Sequence, residues 1–309
     1  MKTKIARLKS RLIHGVTPAM ATPIGNDGYS VNTAVIPALV DFLIERGVGA
    51  GVGVGVKGLF AGGSTGEGIA LDLAERQKLH TAVIDAVDGR VPVLVHVGAL
   101  RTDHAITLAR HAEEIGADAI AAMTPYFYGM DDGSLALYFQ QISAAAPNTP
   151  LILYDIPQLA VNGISPALLG KLADTLPNLA GMKSSRADAG QIRSLLDARP
   201  DVVVALAGNE TIALGLLALG MDGLLSGLST AVPEPFVALT EAFAAGDLAE
   251  AQRQQAIIRQ ILALTPNGQR LGWIKAILAE RGVPVGPPML PRTTPVGPFW
   301  PAIERLLAR

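Results

Sequence analysis

The chain contains no cysteine, and this absence excludes several kinds of site together. Disulfide frameworks, thiolate zinc sites, iron–sulfur clusters and cysteine nucleophiles cannot form. An excess of one charge is missing as well, because 25 lysines and arginines stand against 27 aspartates and glutamates, for a formal net charge of −2. Without a basic stripe, nothing indicates a nucleic acid or an anionic membrane as a partner. Any catalysis must therefore use other side chains.

A long uninterrupted hydrophobic run is also absent. The most apolar stretch, from Thr211 to Val232, contains Asp222 and several glycines, so it does not provide the roughly 20 consecutive apolar residues that a spanning helix needs. The N-terminus is basic, but a glycine at Gly15 and two prolines interrupt the region where a secretory signal would have its apolar core. We expect residues 1–14 to form a solvated tail and the protein to be soluble and cytoplasmic.

Half of the 309 residues are hydrophobic, which is enough for a large core. Short β-branched runs alternate with amphipathic helical patterns at a spacing of roughly 25 to 35 residues, as in repeated βα units around a parallel sheet. The predicted strands are Gly15–Met20, Gly58–Ala61, Val91–Val97, Ala119–Met123, Leu151–Tyr154, Leu179–Met182, Val202–Ala205 and Gly223–Ser226. The predicted helices that follow them are Thr33–Arg46, Leu73–Val87, Thr102–Ile115, Ser134–Ala145, Ser165–Thr175, Ala187–Asp197, Glu210–Leu219 and Pro233–Ala244.

These eight units predict an α/β fold, a (β/α)8 TIM barrel over residues 15–246. Residues 247–309 are expected to form a C-terminal helical extension, with helices at Leu248–Leu264, Gln269–Arg281 and Pro298–Leu307. An open doubly wound sheet is the alternative, because periodicity does not show whether a sheet closes. Two helix starts carry capping signals: Asp72 with Glu75, and Ser165 before a proline.

One glycine-rich run fits a nucleotide-binding motif in spacing alone. Gly53, Gly55 and Gly58 match G-x-G-x-x-G, but the run follows a predicted helix and precedes a strand, which reverses the context of a dinucleotide fingerprint. We expect Gly47–Gly58 to be a long, flexible loop at the non-catalytic end of the barrel.

A second glycine-rich run, Gly62 to Gly66, fits the G-x-S-x-G motif of α/β-hydrolases. Such an enzyme needs an acid and then a histidine after the serine, yet the last histidine is His111 and the long remainder of the chain has none. The turn could instead hold an anion such as a carboxylate with its backbone N–H groups and the hydroxyls of Ser64 and Thr65. A plain tight turn with capping hydroxyls is the alternative.

Lys183 is the candidate amine. Of eight lysines, Lys57 precedes the second predicted strand and Lys183 follows the sixth, and active sites of these barrels form at the carboxyl ends of the strands. Burial in an apolar mouth disfavours a charged amine, and a neutral amine can attack a carbonyl to form a Schiff base. A lysine that merely pairs with an acid is the alternative.

Tyr154 ends the fifth predicted strand and should lie beside Lys183 around the barrel. A phenol in that place can shuttle protons, although a structural tyrosine with a satisfied hydroxyl is the alternative. His104 and His111 share one predicted helix with Glu114, but barrel helices face solvent or the wall, so we expect surface histidines and no metal. An anion-binding turn, a phenol and an amine together favour chemistry on a 2-keto acid.

Four segments resemble the pyruvate-dependent class I aldolase superfamily that contains dihydrodipicolinate synthase and N-acetylneuraminate lyase. They are Gly63-Ser64-Thr65-Gly66-Glu67, Thr124-Pro125-Tyr126, Tyr154-Asp155-Ile156-Pro157 and Gly181-Met182-Lys183. The resemblance implies a homotetrameric (β/α)8 barrel without a cofactor, in which Lys183 forms the Schiff base, Tyr154 shuttles protons, and Ser64 and Thr65 hold the keto-acid carboxylate. The expected substrate-binding residues are Gly63, Ser64, Thr65, Ser185, Gly208, Asn209 and Glu210.

Departures from the family pattern narrow the expected substrate. Leu159 stands where dihydrodipicolinate synthases carry an arginine that binds the aldehyde's carboxylate. By contrast, Gly62–Glu67, His96-Val97-Gly98 and Ile156-Pro157 with Leu159 resemble the sialate lyase and 2-keto-3-deoxy sugar acid branches. Asn209 and Glu210 occupy the place of an acidic pair that binds substrate hydroxyls in sialate lyases, although Asn209 could simply cap a helix. Phe127 replaces the second of two paired tyrosines whose relay crosses a subunit contact, and Tyr128 follows it.

These observations predict a lyase that cleaves a 2-keto-3-deoxy sugar acid or sialate-like substrate to pyruvate and an aldehyde. Dehydration of a sugar acid, or a dihydrodipicolinate synthase-type condensation, on the same imine is the first alternative. A keto-acid binding or regulatory protein without turnover is the second.

Overall fold

Eight parallel strands form one sheet in the order β1-β8-β7-β6-β5-β4-β3-β2. The structure is a computed structural model that describes residues 1–46 and 55–308, so most of the predicted loop Gly47–Gly58 lies outside the described residues. The strands are β1 Val16–Pro18, β2 Leu59–Ala61, β3 Val93–His96, β4 Ala119–Met123, β5 Leu151–Asp155, β6 Leu179–Ser184, β7 Val204–Ala207 and β8 Gly223–Ser226.

The sheet closes on itself between its first and second strands. Bridges join Val16 to Val56 and Ala19 to Phe60, and the Met20 amide donates to the Phe60 carbonyl at 2.9 Å. The prediction of a (β/α)8 barrel is therefore confirmed, and the alternative of an open doubly wound sheet is wrong.

Helices lie between the strands and continue after β8. They are α1 Lys2–Leu12, α2 Ile36–Arg46, α3 Leu73–Val87, α4 Thr102–Glu114, α5 Asp132–Ala145, α6 Pro157–Ala160, α7 Pro166–Thr175, α8 Ala189–Ala198, α9 Ala213–Ala218, α10 Glu234–Ala244, α11 Leu248–Ala263, α12 Arg270–Glu280 and α13 Trp300–Leu307. No helix within residues 1–46 or 55–308 combines the length and the apolar character needed to cross a bilayer.

The capping signals act as predicted. The Asp72 carboxylate accepts from the Glu75 amide at the start of α3, and the Ser165 hydroxyl accepts from the Leu168 amide at the start of α7. Each bond satisfies an N–H group that the helix itself leaves without a partner, a contribution of about 1 kcal/mol. The predicted helix Glu210–Leu219 instead consists of a 3-10 turn at Glu210–Ile212 followed by α9.

The expectation of a solvated tail at residues 1–14 is wrong. Lys2–Leu12 forms a helix in which Ile5, Leu8 and Leu12 are buried, and these three side chains join the cluster that fills the barrel interior. Their spacing is that of an apolar helical stripe, while the basic residues between them occupy the other face. Leu12 packs beside Gly58 and Gly223, at the beginnings of β2 and β8, so α1 covers the amino-terminal end of the barrel.

Candidate active site

Tyr154 and Lys183 lie side by side at the carboxyl ends of β5 and β6. The two residues are paired in register, and Lys183 is in turn paired with Leu206 of β7. Only 1% of Tyr154 and 6% of Lys183 is exposed. The Lys183 Nζ atom lies 3.9 Å from the centre of the Tyr154 ring and 5.4 Å from the centre of the Phe60 ring. The amine therefore stands in an aromatic, largely desolvated setting at the place predicted for it.

A dense network of contacts fixes the Tyr154 ring. Phe60 and His96 make edge-to-face contacts with it, with ring centres 6.1 and 5.9 Å away. The next residue, Asp155, accepts from Arg186 at 2.6 Å and from the Ser184 hydroxyl at 2.9 Å, which joins the ends of β5 and β6. The phenol oxygen therefore has little freedom to move, and it lies 3.2 Å from the Ser64 hydroxyl oxygen.

The turn that carries Ser64 and Thr65 begins directly after β2. Gly62 has a φ of +69° and Glu67 a φ of +54°, so the chain reverses sharply at both ends of the turn. Gly227 lies close to this turn. A Cβ atom at Gly227 would lie 2.5 Å from the Thr65 hydroxyl oxygen, which is too close for a side chain to fit. Ser64, Thr65 and Tyr154 line the same opening.

Glu67 ties this turn to the C-terminal extension. Its carboxylate is fully buried and pairs with Lys275 of α12 at 2.8 Å, while the Met289 amide donates to it at 2.9 Å. Lys275 also donates to the Pro287 carbonyl at 2.8 Å. Burial lowers the pKa of Lys275, and the neighbouring Glu67 carboxylate opposes that shift.

A cavity of about 490 Å³ opens above Lys183, and eight of the nine residues predicted for the site line it. These eight are Ser64, Thr65, Tyr154, Lys183, Ser185, Gly208, Asn209 and Glu210. The ninth, Gly63, belongs to the same turn but does not line the cavity, and a Cβ there would collide with the Phe60 ring. Gly208 leaves the room that the amine occupies, because a Cβ there would lie 2.9 Å from the Lys183 Cε.

Comparison with known proteins places this geometry in a family. The sequence profile of the dihydrodipicolinate synthetase family matches residues 12–298. The chain belongs to this family. Family members and relatives are lyases and aldolases, and the protein is an enzyme of that class.

Three relatives illustrate the range of the family. The 4-hydroxy-tetrahydrodipicolinate synthase of Salinibacter ruber is 36% identical over 245 residues, 79% of this chain and 78% of that protein. YagE of Escherichia coli, named as a putative 2-dehydro-3-deoxy-D-gluconate aldolase, is 32% identical over 93% of both chains. The crystal structure of YagE in complex with pyruvate superposes on this chain with a TM-score of 0.83 and 29% identity. That match covers 95% of this chain and 97% of YagE. The sialic acid aldolase of Ruminococcus gnavus, solved as a catalytic lysine mutant, has a TM-score of 0.87 at 28% identity and covers 96% and 95%.

Asn209 and Glu210, the two residues predicted to bind substrate hydroxyls, have intramolecular partners. The Asn209 side chain accepts from the Thr211 amide at 3.2 Å and so caps the 3-10 turn. This is the capping role given above as the alternative to substrate binding. The Glu210 Oε1 atom accepts from the Ser226 hydroxyl at 2.9 Å and from the Leu228 amide at 2.7 Å. Its Oε2 atom forms an ion pair with Arg270.

The sequence reasoning missed several residues that line the cavity. Gln158 follows the Tyr154-Asp155-Ile156-Pro157 segment and donates to the Ser185 carbonyl at 2.8 Å. Leu262, Thr265 and Arg270 come from the C-terminal extension. Gln158 could have been found from its place beside a family motif, whereas no sequence signal marks the other three, because only the packing of the extension brings them to the mouth.

A buried basic cluster supports the site from behind. Arg76 donates from Nη1 to the Gly98 carbonyl at 3.0 Å and from Nη2 to the Nδ1 atom of His96 at 3.2 Å, so the His96 Nδ1 atom must accept. Burial, followed by the nearby Arg76 charge, holds the pKa values of His80 and His96 well below the usual range. Burial also lowers the pKa of Arg76 to about 10. His96 therefore packs against Tyr154 as a neutral ring.

The remaining predictions concern metals and the paired aromatics. Within the described ranges, no three histidine or carboxylate side chains lie together as a metal site requires; His111 instead lies 3.3 Å from the Thr81 hydroxyl. Phe127 has a φ of +79° and is 74% exposed, and Tyr128, whose ring centre lies 4.9 Å away, is 61% exposed. These two aromatic rings form a surface patch outside the cavity lining.

Proposed function

We propose that this enzyme is a Schiff-base-forming lyase that reversibly cleaves a 2-keto-3-deoxy sugar acid or sialate-like substrate to pyruvate and an aldehyde. The observation that carries the proposal is the position of the Lys183 amine, 3.9 Å from the Tyr154 ring centre and inside a cavity that the Ser64 and Thr65 hydroxyls also face. A sialic acid aldolase and a putative 2-dehydro-3-deoxy-D-gluconate aldolase, YagE, whose crystal structure contains pyruvate, are among the similar proteins, and they support this proposal.

The first half of the reaction joins enzyme and substrate. Ser64 and Thr65 hold the keto-acid carboxylate through their hydroxyls and backbone N–H groups, which places the C2 carbonyl at the Lys183 nitrogen. The neutral amine attacks C2 and forms a carbinolamine. Tyr154 delivers a proton to the former carbonyl oxygen, which leaves as water, and a protonated imine remains. Phe60 and Tyr154 enclose the amine while this step takes place.

The second half breaks a carbon–carbon bond. The Tyr154 phenolate takes the proton from the C4 hydroxyl, the C4 oxygen becomes a carbonyl, and the C3–C4 bond breaks. Its electron pair moves to C3 and into the imine nitrogen, so that an enamine forms and the aldehyde departs. C3 then receives a proton, and water hydrolyses the imine to release pyruvate and the free Lys183 amine. Every proton that Tyr154 removes returns, so the cycle balances without a cofactor.

Reductive trapping tests this proposal. Incubation with pyruvate and borohydride, followed by peptide mass mapping, should place an adduct on Lys183. Lys183→Ala should form no adduct and lose turnover, whereas Lys171→Ala, at an exposed lysine of α7, should behave as the wild type. Pyruvate binding without an adduct would favour the alternative of a passive keto-acid binding or regulatory protein.

Aspartate semialdehyde condensation is the less favoured function. Leu159 occupies the place of the arginine that holds that aldehyde's carboxylate in dihydrodipicolinate synthases. It is 64% exposed and does not line the cavity.

We also propose that the enzyme is a homotetramer, with the exposed aromatic patch of Phe127 and Tyr128 at a subunit contact. Light scattering in solution gives the subunit number, and the cytoplasmic location stays a prediction.

A further inference from the structure

The outer part of the active-site cavity is built by a different stretch of sequence from the inner part. Strand ends supply Tyr154 and Lys183, whereas the C-terminal extension supplies Leu262, Thr265 and Arg270. The cavity has a volume of about 490 Å³. A three-carbon keto acid on Lys183 fills well under half of that space. The remainder is the place for the aldehyde part of a cleavage substrate.

Arg270 brings hydrogen-bond donors to this outer part. Its guanidinium carries five N–H donors, and its Nη2 atom pairs with the Glu210 Oε2 atom. The Arg270 side chain makes no other hydrogen bond within residues 1–46 and 55–308. Glu210 is 8% exposed and is fixed on its other oxygen by Ser226 and Leu228. The guanidinium is therefore anchored at one corner, and its other donors stay available to a ligand.

Thr265 supplies a second polar group at the same wall. Its hydroxyl oxygen is enclosed and has no hydrogen-bond partner among the described residues. Buried hydroxyls without a partner are uncommon, because leaving one unsatisfied costs free energy. Thr265 and Arg270 both line the cavity. A rotation of the Thr265 side chain toward the cavity would let a hydroxylated ligand satisfy the threonine together with the remaining guanidinium donors.

The local charge selects between two kinds of distal group. The Arg270 and Glu210 charges cancel, so the outer wall has donors and an acceptor but no net charge. A second carboxylate would gain from Arg270 and be repelled by Glu210, whereas a hydroxyl can bind both. We infer that Arg270 and Thr265 bind the hydroxyl groups of a neutral hydroxylated aldehyde and make the enzyme select it over an unsubstituted or carboxylated one. This inference rests on the proposed function.

Aldehyde selectivity is the measurement that tests it. In the condensation direction, with pyruvate, wild-type kcat/KM is compared for glyceraldehyde, propanal and succinic semialdehyde. Glyceraldehyde should be preferred over both other aldehydes. Arg270→Met should lower the ratio of glyceraldehyde to propanal by about tenfold to hundredfold, as expected for lost hydrogen bonds to a charged donor. Thr265→Val, which keeps the shape of the side chain, should lower it by about fivefold.

Three further variants separate recognition from structural damage. Arg270→Lys should recover part of the ratio, because it keeps a cationic donor. The double variant Arg270→Met with Glu210→Gln removes both charges, leaves no unpaired carboxylate, and should also lose the preference. Arg253→Met removes a guanidinium of the same extension that pairs with Glu250 on the surface, and it should keep the wild-type ratio.

The outcomes distinguish this inference from the proposed function. If borohydride and pyruvate give no adduct on Lys183, the proposed function fails. If the adduct forms but the wild type prefers propanal or succinic semialdehyde, or accepts none of the three aldehydes, the inference is overturned while the Schiff-base chemistry stands. An unchanged ratio in Arg270→Met and Thr265→Val overturns it as well.

Discussion

The Tyr154 phenol oxygen and the Ser64 hydroxyl oxygen lie 3.2 Å apart. This contact joins the end of β5 to the turn after β2, across the mouth of the barrel. The Lys183 amine stands over the same phenol ring, 3.9 Å from its centre. In the proposed reaction, a proton can therefore pass between the phenol and the hydroxyl while the substrate is bound beside the amine.

Tyr154→Phe should separate binding from proton transfer. The ring and its contacts with Phe60 and His96 are kept, but the hydroxyl is lost, so kcat should fall by about 10² to 10⁴. The pyruvate adduct on Lys183 should still be trapped after longer incubation. Tyr29→Phe, at a 58% exposed tyrosine outside the cavity, is the control. A Tyr154→Phe enzyme with kcat within threefold of the wild type would remove the phenol from the mechanism.

Gly208→Ala should displace the amine. The added Cβ would lie 2.9 Å from the Lys183 Cε and would also collide with the Ser185 hydroxyl, so the lysine must move away from Tyr154. We expect slower adduct formation by about tenfold or more, because a small misplacement of a reacting group is costly. Gly170→Ala in α7, where a Cβ meets nothing within 4 Å, should leave the trapping rate unchanged and stabilise the helix by about 0.5–1 kcal/mol.

Lys275→Met should destabilise the fold through Glu67. Removing the amine leaves a fully buried carboxylate without its closest cation, and breaking such a pair costs about 3–5 kcal/mol. Arg292, 3.5 Å from the same carboxylate, and the Met289 amide remain as partners, so the low end of that range is expected in urea unfolding.

The matched variant for this pair is Lys275→Met combined with Glu67→Gln. It removes both charges and should recover part of the lost stability, which a double-mutant cycle measures directly. If the double variant is less stable than the sum of the two single changes predicts, the carboxylate was not the source of the cost.

His80→Leu should stabilise the protein, and more so in acid. Both ring nitrogens are buried without a hydrogen-bond partner in the described part of the chain, so an apolar side chain of similar size removes a cost of about 1–3 kcal/mol. Burial holds the pKa of His80 well below 6.5. Below pH 6.5 the unfolded chain therefore binds a proton that the folded chain does not, and wild-type stability falls as the pH falls.

Denaturant unfolding at pH 7 and pH 5 checks this prediction. A buried histidine with a lowered pKa contributes at most about 1.4 kcal/mol per pH unit to the slope of unfolding free energy against pH. The wild type has this contribution from both His80 and His96, whereas the His80→Leu variant should keep only that of His96. Equal slopes of unfolding free energy against pH in both proteins would contradict the assignment.

The barrel and its inner residues could be predicted from sequence because their signals are local. Tyr154 and Lys183 end buried apolar strands, and parallel strand ends meet at one edge of the sheet. The predicted strand Val202–Ala205 is β7 displaced by two residues, since apolar residues on both sides leave its boundary undefined. The prediction of a solvated tail is wrong because the stripe of Ile5, Leu8 and Leu12 is short and is flanked by basic residues, and its burial depends on packing against the barrel.

The outer wall could not be predicted, because its position depends on tertiary packing. Arg270 is an ordinary arginine at the start of a helix, and only the docking of α12 through Lys275 and Glu67 brings it to the cavity. The same holds for Glu210. Its intramolecular partners are Ser226 and Leu228, which lie 16 and 18 residues further along the chain.

Helix α1 seals the barrel at the end opposite Lys183 with Ile5, Leu8 and Leu12. Among the described residues, the amine is therefore open to solvent through the cavity at the carboxyl ends of the strands. In the proposed reaction, the water expelled on imine formation, the water that later hydrolyses the imine, and the departing aldehyde would all pass through this opening. An aldehyde bound in the outer part of the cavity would therefore shield the imine from hydrolysis until it leaves.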